Sequence, residues 1–138
     1  MGELTFVNCL FHDNTPGGAF NSGGAVAAGT GDSVTAVNCT FADNHSQFGG
    51  AIGIYAAAVD ATNCVFWGNT AVNGSSGESI WNNSGSVSIA HCDVLASDID
   101  GDGFSDLGGN FHLDPFFVDA AVDEYAIQQD NPFVNHSG

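Results

Sequence analysis

The chain contains no lysine and no arginine among its 138 residues, against 16 aspartate and glutamate residues. Its formal net charge at pH 7 is therefore −16, whereas ordinary globular domains carry about 25% charged residues of both signs. Without cationic side chains the chain has little means of neutralising phosphates, so we expect no binding to nucleic acid. Metal ions, solution cations, partner proteins and protonated histidine remain as its counter-ions.

Long apolar runs are also lacking. No stretch approaches the roughly 18 consecutive apolar residues of a membrane span, so we expect no membrane insertion. No segment repeats apolar residues with a period of 3.6, which argues against helices. The hydrophobic share of 43% is nevertheless enough for a core and is not typical of a disordered chain. We expect one domain over residues 1–138.

A seven-residue phrase, Asn-Cys-x-Phe-x-x-Asn, occurs three times. It begins at Asn8, Asn38 and Asn63, and a degraded fourth copy begins at His91. The four cysteines accordingly follow one another in steps of 30, 25 and 28 residues. A repeat of this length indicates one structural unit that is stacked on copies of itself.

A second phrase, Gly-Gly-Ala-hydrophobic, begins at Gly23 and Gly49, with a weaker version at Gly77. Its second residue precedes the next cysteine by 15, 14 and 14 residues. The distance from the phenylalanine of the first phrase to the start of the Gly-Gly-Ala phrase varies more, at 12, 8 and 11 residues. The arc from the glycine phrase to the next cysteine is therefore nearly constant in length, whereas the arc from the phenylalanine to the glycine phrase varies in length. This pattern is typical of a solenoid with insertions at one corner.

The constant arc favours β-strands. Residues 34–41 alternate in period two, which we interpret as one strand with Val34 and Ala36 on one face and Cys39 and Phe41 on the other. Such strands, recurring without helices, predict an all-β parallel β-helix, or β-solenoid, of about four to five coils, with neighbouring coils about 4.8 Å apart. The expected coils span residues 3–32, 33–58, 59–85 and 86–138, with an acidic loop at 97–109 in the irregular last one.

Equivalent residues of successive coils should stack in ladders. Two ladders are expected to point inward, namely Cys9, Cys39, Cys64 and Cys92, and Phe11, Phe41 and Phe66. We favour free thiols, because stacked side chains point in parallel and suit a disulfide poorly, and disulfides between coils are the alternative, since the spacing of the coils allows the Cα distance. Two asparagine ladders are expected at corners, namely Asn8, Asn38 and Asn63, whose amides can bond one another, and Asn14, Asn44 and Asn69, in the left-handed conformation of a sharp turn.

The phrases Phe-x-x-Asn and Gly-Gly-Ala-Ile, in this order and spacing, resemble the repeats of chlamydial polymorphic outer-membrane proteins. More broadly, the chain resembles right-handed parallel β-helix proteins of the pectin-lyase-like superfamily, and its segments 109–119, 125–128 and 131–134 are similar to the closing part of such proteins. The resemblance implies a secreted protein in an extracellular or cell-surface location and no particular reaction. Because the chain begins part-way through a repeat, we expect it to be a piece of a longer protein.

The acidic loop is the sharpest chemical motif. Its carboxylates occupy positions 1, 3, 5 and 9 of a possible cation-binding turn, as Asp98, Asp100, Asp102 and Asp106. Four carboxylates within nine residues repel one another unless a cation neutralises them. We predict a Ca²⁺ site formed by these residues and the backbone carbonyl of Phe104, although Gly109 stands where such loops carry a glutamate. A solvated acidic loop is the alternative.

Asp13 and Asp43 occupy the same position in successive coils, where stacked like charges repel. We favour solvated turns at this position, because the third copy has Gly68, and a shared cation is the alternative. The five histidines show no metal-ligand spacing, and we assign them no catalytic role.

These features predict a non-catalytic extracellular structural protein that associates with itself head-to-tail, as a filament subunit or a surface adhesion module stabilised by calcium. The alternative is a carbohydrate-binding or polysaccharide-degrading β-helix module. Lyases of this architecture typically use arginine or lysine, and a hydrolase needs two facing carboxylates, for which Asp13 and Asp43 are candidates. Three aromatic residues are candidates for stacking on neutral sugars or, alternatively, for packing at corners, namely Tyr55, Trp67 and Trp81.

Overall fold

The computed structural model describes residues 1–17, 21–73, 77–119, 121 and 124–127, so the segment 131–134 lies outside the described residues. Its strands are β1 (Glu3–Val7), β2 (Leu10–His12), β3 (Val26–Ala28), β4 (Ser33–Val37), β5 (Thr40–Ala42), β6 (His45–Ser46), β7 (Ile52–Tyr55), β8 (Ala58–Thr62), β9 (Val65–Trp67), β10 (Thr70–Ala71), β11 (Ile80–Asn83), β12 (Ser86–Ala90), β13 (Ile99–Gly101), β14 (Ser105–Asp106), β15 (Phe117–Asp119) and β16 (Glu124–Ile127). A short 3-10 turn covers Ala96–Asp98. Within these ranges no helix is long and apolar enough to cross a membrane.

The strands stack in parallel into a β-solenoid. One sheet has the order β1-β4-β8-β12-β14, a second β3-β7-β11-β13 and a third β2-β5-β9. The predicted all-β parallel solenoid is confirmed, but it has about three turns instead of four to five coils. The stack is shorter than expected because fewer residues pair between neighbouring strands at its end. Strands β1 and β4 pair over five residues, whereas β12 and β14 pair over two.

A left-handed residue separates the first two strands of each turn. Asn38 has φ 54° between β4 and β5, and Asn8, Asn63 and His91 have φ between 52° and 54° in the equivalent place. This residue shifts the phase of the alternation, so Val34 in β4 and Phe41 in β5 are both buried. Our prediction of one alternating strand over 34–41, with these residues on opposite faces, is therefore wrong.

The second corner is also left-handed, but at the residue before the predicted asparagine. Asp13, Asp43 and Gly68 have φ of 52°, 53° and 64°. The prediction that the following asparagines adopt this conformation is wrong, because the corner residue turns the chain so that Asn44 and Asn69 face inward and are buried.

The buried asparagines form an amide ladder. The Asn44 Nδ2 atom donates to Asn69 Oδ1 at 3.0 Å, and Asn14 Nδ2 donates to Asn44 Oδ1 at 2.8 Å. Asn44 Nδ2 also donates to the Phe11 carbonyl, one turn earlier, at 2.9 Å. The ladder therefore links successive turns and satisfies backbone groups that a corner leaves unpaired.

Phenylalanine and cysteine columns lie next to this ladder. The rings of Phe11 and Phe41 stack with centroids 4.8 Å apart, and those of Phe41 and Phe66 stack at 4.9 Å, both nearly parallel. The four cysteines are free thiols, and each donates to the carbonyl two residues earlier at 3.3–3.4 Å. Contact with Cys92 and burial raise the pKa of the Cys64 thiol, so it packs as a neutral group.

The first glycine of the Gly-Gly-Ala phrase is required by the backbone. Gly23, Gly49 and Gly77 have φ between 62° and 72°. A Cβ at Gly49 would lie 2.1 Å from the carbonyl oxygen of Ile52, and the other two positions show the same contact with the residue three further on. This explains why the weaker third phrase keeps its first glycine.

Gly49→Ala should lower the free energy of unfolding by about 3 kcal/mol or more, because the added Cβ strains a left-handed residue and also meets a backbone oxygen. Gly103→Ala is the matched control, with φ 83° and no heavy atom within 4 Å of the added Cβ. We expect this control to lose only the backbone cost of about 1–2 kcal/mol. Urea denaturation measures both losses, and equal losses would contradict the role of the Ile52 contact.

Asn44→Asp should lower the free energy of unfolding by about 2–5 kcal/mol, because it removes the buried amide donors. Burial disfavours the charged form, so the folded-state pKa of the new carboxyl group lies above its unfolded value. The variant therefore loses further stability, relative to the parent, as pH rises above about 4. Urea denaturation at several pH values, with the exposed Asn14→Asp as control, checks this. A difference from the parent that does not change with pH would contradict it.

Candidate functional site

The acidic loop follows the last turn of the solenoid and does not wrap around a common centre. Asp98 ends the 3-10 turn, and Asp100 lies in β13, which pairs with β11. Asp106 lies in β14, which pairs with β12 in a different sheet. In the ranges that the structure describes, no three His, Cys, Asp or Glu side chains are grouped so that they could hold a metal ion.

The side chains of this loop are engaged locally. Asp102 accepts a hydrogen bond from the Ser84 N–H, and Asp106 Oδ1 accepts from Asn110 Nδ2 at 2.6 Å. Burial, with the nearby Glu78 charge, raises the pKa of Asp98. The ring of Phe104 packs against the core. The predicted ligands thus lie along the 3-10 turn, β13, the segment 102–104 and β14, as Asp98, Asp100, Asp102, Phe104 and Asp106.

The opposite end of the stack presents whole strand edges. Strands β1, β2 and β3 are each the last strand of their sheet. On either side of β1, the Asn8 N–H donates to the Val37 carbonyl, and the Gly2 carbonyl accepts from the Ser33 N–H. Because alternate residues of a strand direct their backbone groups to opposite sides, Thr5 directs its N–H and C=O away from the stack.

The same end leaves part of the core uncovered. Leu4 pairs in register with the buried Val34, yet 42% of Leu4 is exposed. Phe11 and Cys9 continue the inward columns and are only partly buried. These residues are inward-facing members of ladders, and the described chain places no further turn above them. The strand edges and exposed ladder residues of β1, β2 and β3 together form what we call the leading edge.

The described end of the chain folds back along the stack. The ring of His112 stacks on Trp67 in the third turn, with centroids 5.1 Å apart. Strands β15 and β16 then form an antiparallel hairpin. This hairpin brings Tyr125, which is 7% exposed, to the second corner of the first two turns. Its hydroxyl oxygen lies 2.8 Å from Asp43 Oδ2 and 3.1 Å from Asp13 Oδ2.

A tyrosine hydroxyl thus occupies the position where we weighed a solvated turn against a shared cation. The two carboxylates that we considered for a hydrolase face this buried side chain. Sequence reasoning missed the contact because Tyr125 is separated from Asp43 and Asp13 by 82 and 112 residues. Tyr125 begins the segment 125–128 that resembles the closing part of β-helix proteins, but nothing in that segment indicates a contact with the first two turns.

Two of the candidate sugar-binding aromatics, Tyr55 and Trp81, lie on the outward face of one sheet in the neighbouring strands β7 and β11, and Trp67 lies in β9 of another sheet. Trp67 contacts His112, and Trp81 packs against Phe48 with ring centroids 4.8 Å apart. Tyr55 is 57% exposed. Both tryptophans therefore lie within strands, half-buried against a neighbouring ring, whereas Tyr55 is largely exposed.

The chain matches no protein-family model, no curated protein and no solved structure. Its class is therefore defined by its fold, an all-β solenoid of parallel sheets.

Calcium binding stays a prediction from the sequence. If Ca²⁺ gathers the acidic loop, millimolar calcium should raise the melting temperature of the parent, because a ligand that binds only the folded state stabilises it. Asp102→Asn should reduce this shift, whereas Asp60→Asn, at an exposed position in β8, should keep it. Differential scanning fluorimetry with calcium or a chelator measures the shift, and an unchanged melting temperature of the parent would contradict the prediction.

Proposed function

We propose that the chain is a non-catalytic structural module that assembles by end-to-end stacking of solenoid turns, in an extracellular or cell-surface setting. The leading edge is the observation that carries this proposal, since all three sheets end there in unpaired strand edges. Unpaired edges are templates for further strands. Repeat proteins normally need a polar capping unit to prevent such pairing.

A second copy of the chain is the partner that this edge fits best. The other end of the stack presents β14 and β13 as the last strands of two sheets, and Phe111 bridges to Asp93 at the end of the third. Each of the three stacks can therefore continue from one copy into the next with parallel strands. A head-to-tail contact of this type does not close on itself, so it produces an open fibre.

Charge sets the conditions for this assembly. Each copy carries a formal charge of −16, with no lysine or arginine to offset it. Repulsion between copies opposes stacking at low ionic strength, and salt screens it. Calcium binding at the acidic loop would act in the same direction.

The resemblance to right-handed parallel β-helix proteins of the pectin-lyase-like superfamily, and to chlamydial polymorphic outer-membrane protein repeats, supports the surface setting. The lack of lysine and arginine supports a non-catalytic role, because a lyase of this architecture would need such a group to neutralise a uronate. The contact of Asp13 and Asp43 with Tyr125 supports it too, since a hydrolase would need both carboxylates free to reach a substrate.

A carbohydrate-binding or polysaccharide-degrading module is the second candidate function. One observation favours it, namely that Tyr55 is 57% exposed and directly precedes Ala56, which lines a shallow groove of about 410 Å³ together with Asp32 and Ser84. Screening the parent and Tyr55→Ala on a glycan array and a polysaccharide panel separates this candidate from self-assembly.

Thr5→Pro tests the assembly directly. Proline removes the outward-pointing N–H of β1, and the neighbouring residues keep their bonds to β4. The parent should form filaments as protein and salt concentrations rise, whereas Thr5→Pro should remain monomeric. Thr5→Ala keeps the N–H and should assemble like the parent.

Sedimentation velocity and negative-stain electron microscopy measure this assembly, and far-UV circular dichroism confirms that Thr5→Pro is folded. A parent that stays monomeric at all salt and protein concentrations would contradict the proposal. Equal assembly of Thr5→Pro and the parent would contradict the role of the leading edge.

A further inference from the structure

A hollow of about 240 Å³ lies at the end of the stack opposite the leading edge. We infer that the rings of Phe6 and Phe11 of one copy insert into this hollow in the next copy. The inference rests on the assembly proposed above, and it names the side chains that meet at the junction between copies. The end that carries the hollow, formed by β13, β14 and the residues 110–112, is called the trailing end below.

The hollow is an unfilled part of the hydrophobic core. Ile89 and Val94 line its buried side and are 1% and 4% exposed. Val94 comes next to Phe66 in the phenylalanine column. Because valine is smaller than phenylalanine, the column leaves room at this fourth position. Further lining residues are Ala96, Phe104, Asp106 and Asn110.

The polar groups of the hollow are engaged with one another. Asn110 Nδ2 donates to Asp106 Oδ1 at 2.6 Å and to the Ile89 carbonyl at 3.1 Å. Asn110 Oδ1 accepts from the Cys92 N–H at 2.8 Å. An apolar side chain can therefore fill the hollow without displacing these hydrogen bonds, which would be costly to lose.

The leading edge carries an aromatic pair at the other end of the same two ladders. The rings of Phe6 and Phe11 meet edge-to-face with centroids 5.0 Å apart, and both are only partly buried. Phe6 begins the ladder that contains Ile89 three turns later. Phe11 begins the column that contains Val94. Continuing the stack into a second copy therefore places the aromatic pair above the hollow.

The size of the hollow favours side chains of a partner over a separate small molecule. Pockets for small molecules usually measure about 300–1,000 Å³, and this hollow is smaller. It is still far larger than the roughly 30 Å³ that one water occupies. Left uncovered, the hollow keeps apolar core surface in contact with water, and aromatic rings are the side chains that remove most of such surface.

Ala96→Trp tests the hollow from the trailing end. Ala96 is exposed and lines the hollow, so an indole there narrows it without entering the core. Half-assembly of this variant should need at least about tenfold more protein than that of the parent, because overpacking opposes the close contact. Val72→Trp is the matched control and should assemble like the parent, since Val72 is 61% exposed and does not line the hollow.

Mixing two blocked variants tests whether the two ends fit each other. Thr5→Pro blocks the leading edge and keeps the hollow, whereas Ala96→Trp blocks the hollow and keeps the leading edge. At salt and protein concentrations at which the parent forms filaments, each variant alone should be monomeric. An equimolar mixture should form heterodimers with one intact junction and no filaments.

Sedimentation velocity measures these species, and far-UV circular dichroism confirms that each variant is folded. Ala96→Phe, a smaller addition at the same position, replaces Ala96→Trp if the tryptophan variant is not folded. Assembly of a folded Ala96 variant equal to that of the parent would overturn the inference and leave the assembly proposal standing. So would a mixture that stays monomeric while the parent forms filaments. A parent that stays monomeric would contradict the assembly proposal itself, and the inference with it.

Discussion

Two left-handed corners, at Asn38 and Asp43 in the second turn, determine what each turn of this solenoid buries. The first corner shifts the alternation so that the strands on both sides of it face the core. The second corner turns the following amide of Asn44 inward. The short strand between them then carries one phenylalanine per turn into the same column. Without these corners the repeated phrase would be one flat strand with half of its apolar residues exposed.

The ladders that result are complete only inside the stack. Phe41 stacks on a parallel ring on each side and is fully buried, whereas Phe11 stacks on one parallel ring, with Phe6 edge-on against it, and is partly exposed. Inter-turn hydrogen bonds follow the same rule, because each strand satisfies half of its backbone groups through the turn before it and half through the turn after it. The incomplete ladders at β1, β2 and β3 are thus the physical basis of the assembly that we propose, and the shorter pairing of β14 lies at the other end of the stack.

Much of the fold could be predicted from the sequence, because the spacing of the repeated phrases gives the length of each turn. The stacking of Cys39 and Phe41 on equivalent residues follows from spacing alone. The residues that face the core on either side of Asn38 could not be predicted together. The alternating pattern of the sequence runs through Asn38 without a break, and only the left-handed backbone at this residue shifts which positions point inward. The acidic loop shows a similar limit. Its spacing fits a calcium loop, but only the structure reveals that β13 and β14 pair with two different sheets, which places Asp100 and Asp106 on different sheets.

The closing hairpin lay beyond sequence reasoning for another reason. Tyr125 stands outside the repeats, and its contacts with Asp13 and Asp43 depend on where the whole chain returns after the last turn. Such contacts tie the end of the chain to its beginning without any local signal. They also change the role of Asp13 and Asp43 from isolated corner residues to partners of a buried hydroxyl group.

The most direct test of the whole account is the pattern of nuclear Overhauser contacts between turns. The account predicts ring contacts from Phe11 to Phe41 and from Phe41 to Phe66, in steps of 30 and 25 residues, together with parallel contacts between β4 and β8. Antiparallel contacts between neighbouring strands of these sheets, or phenylalanine rings without contacts at these steps, would contradict the stacked solenoid and everything inferred from it.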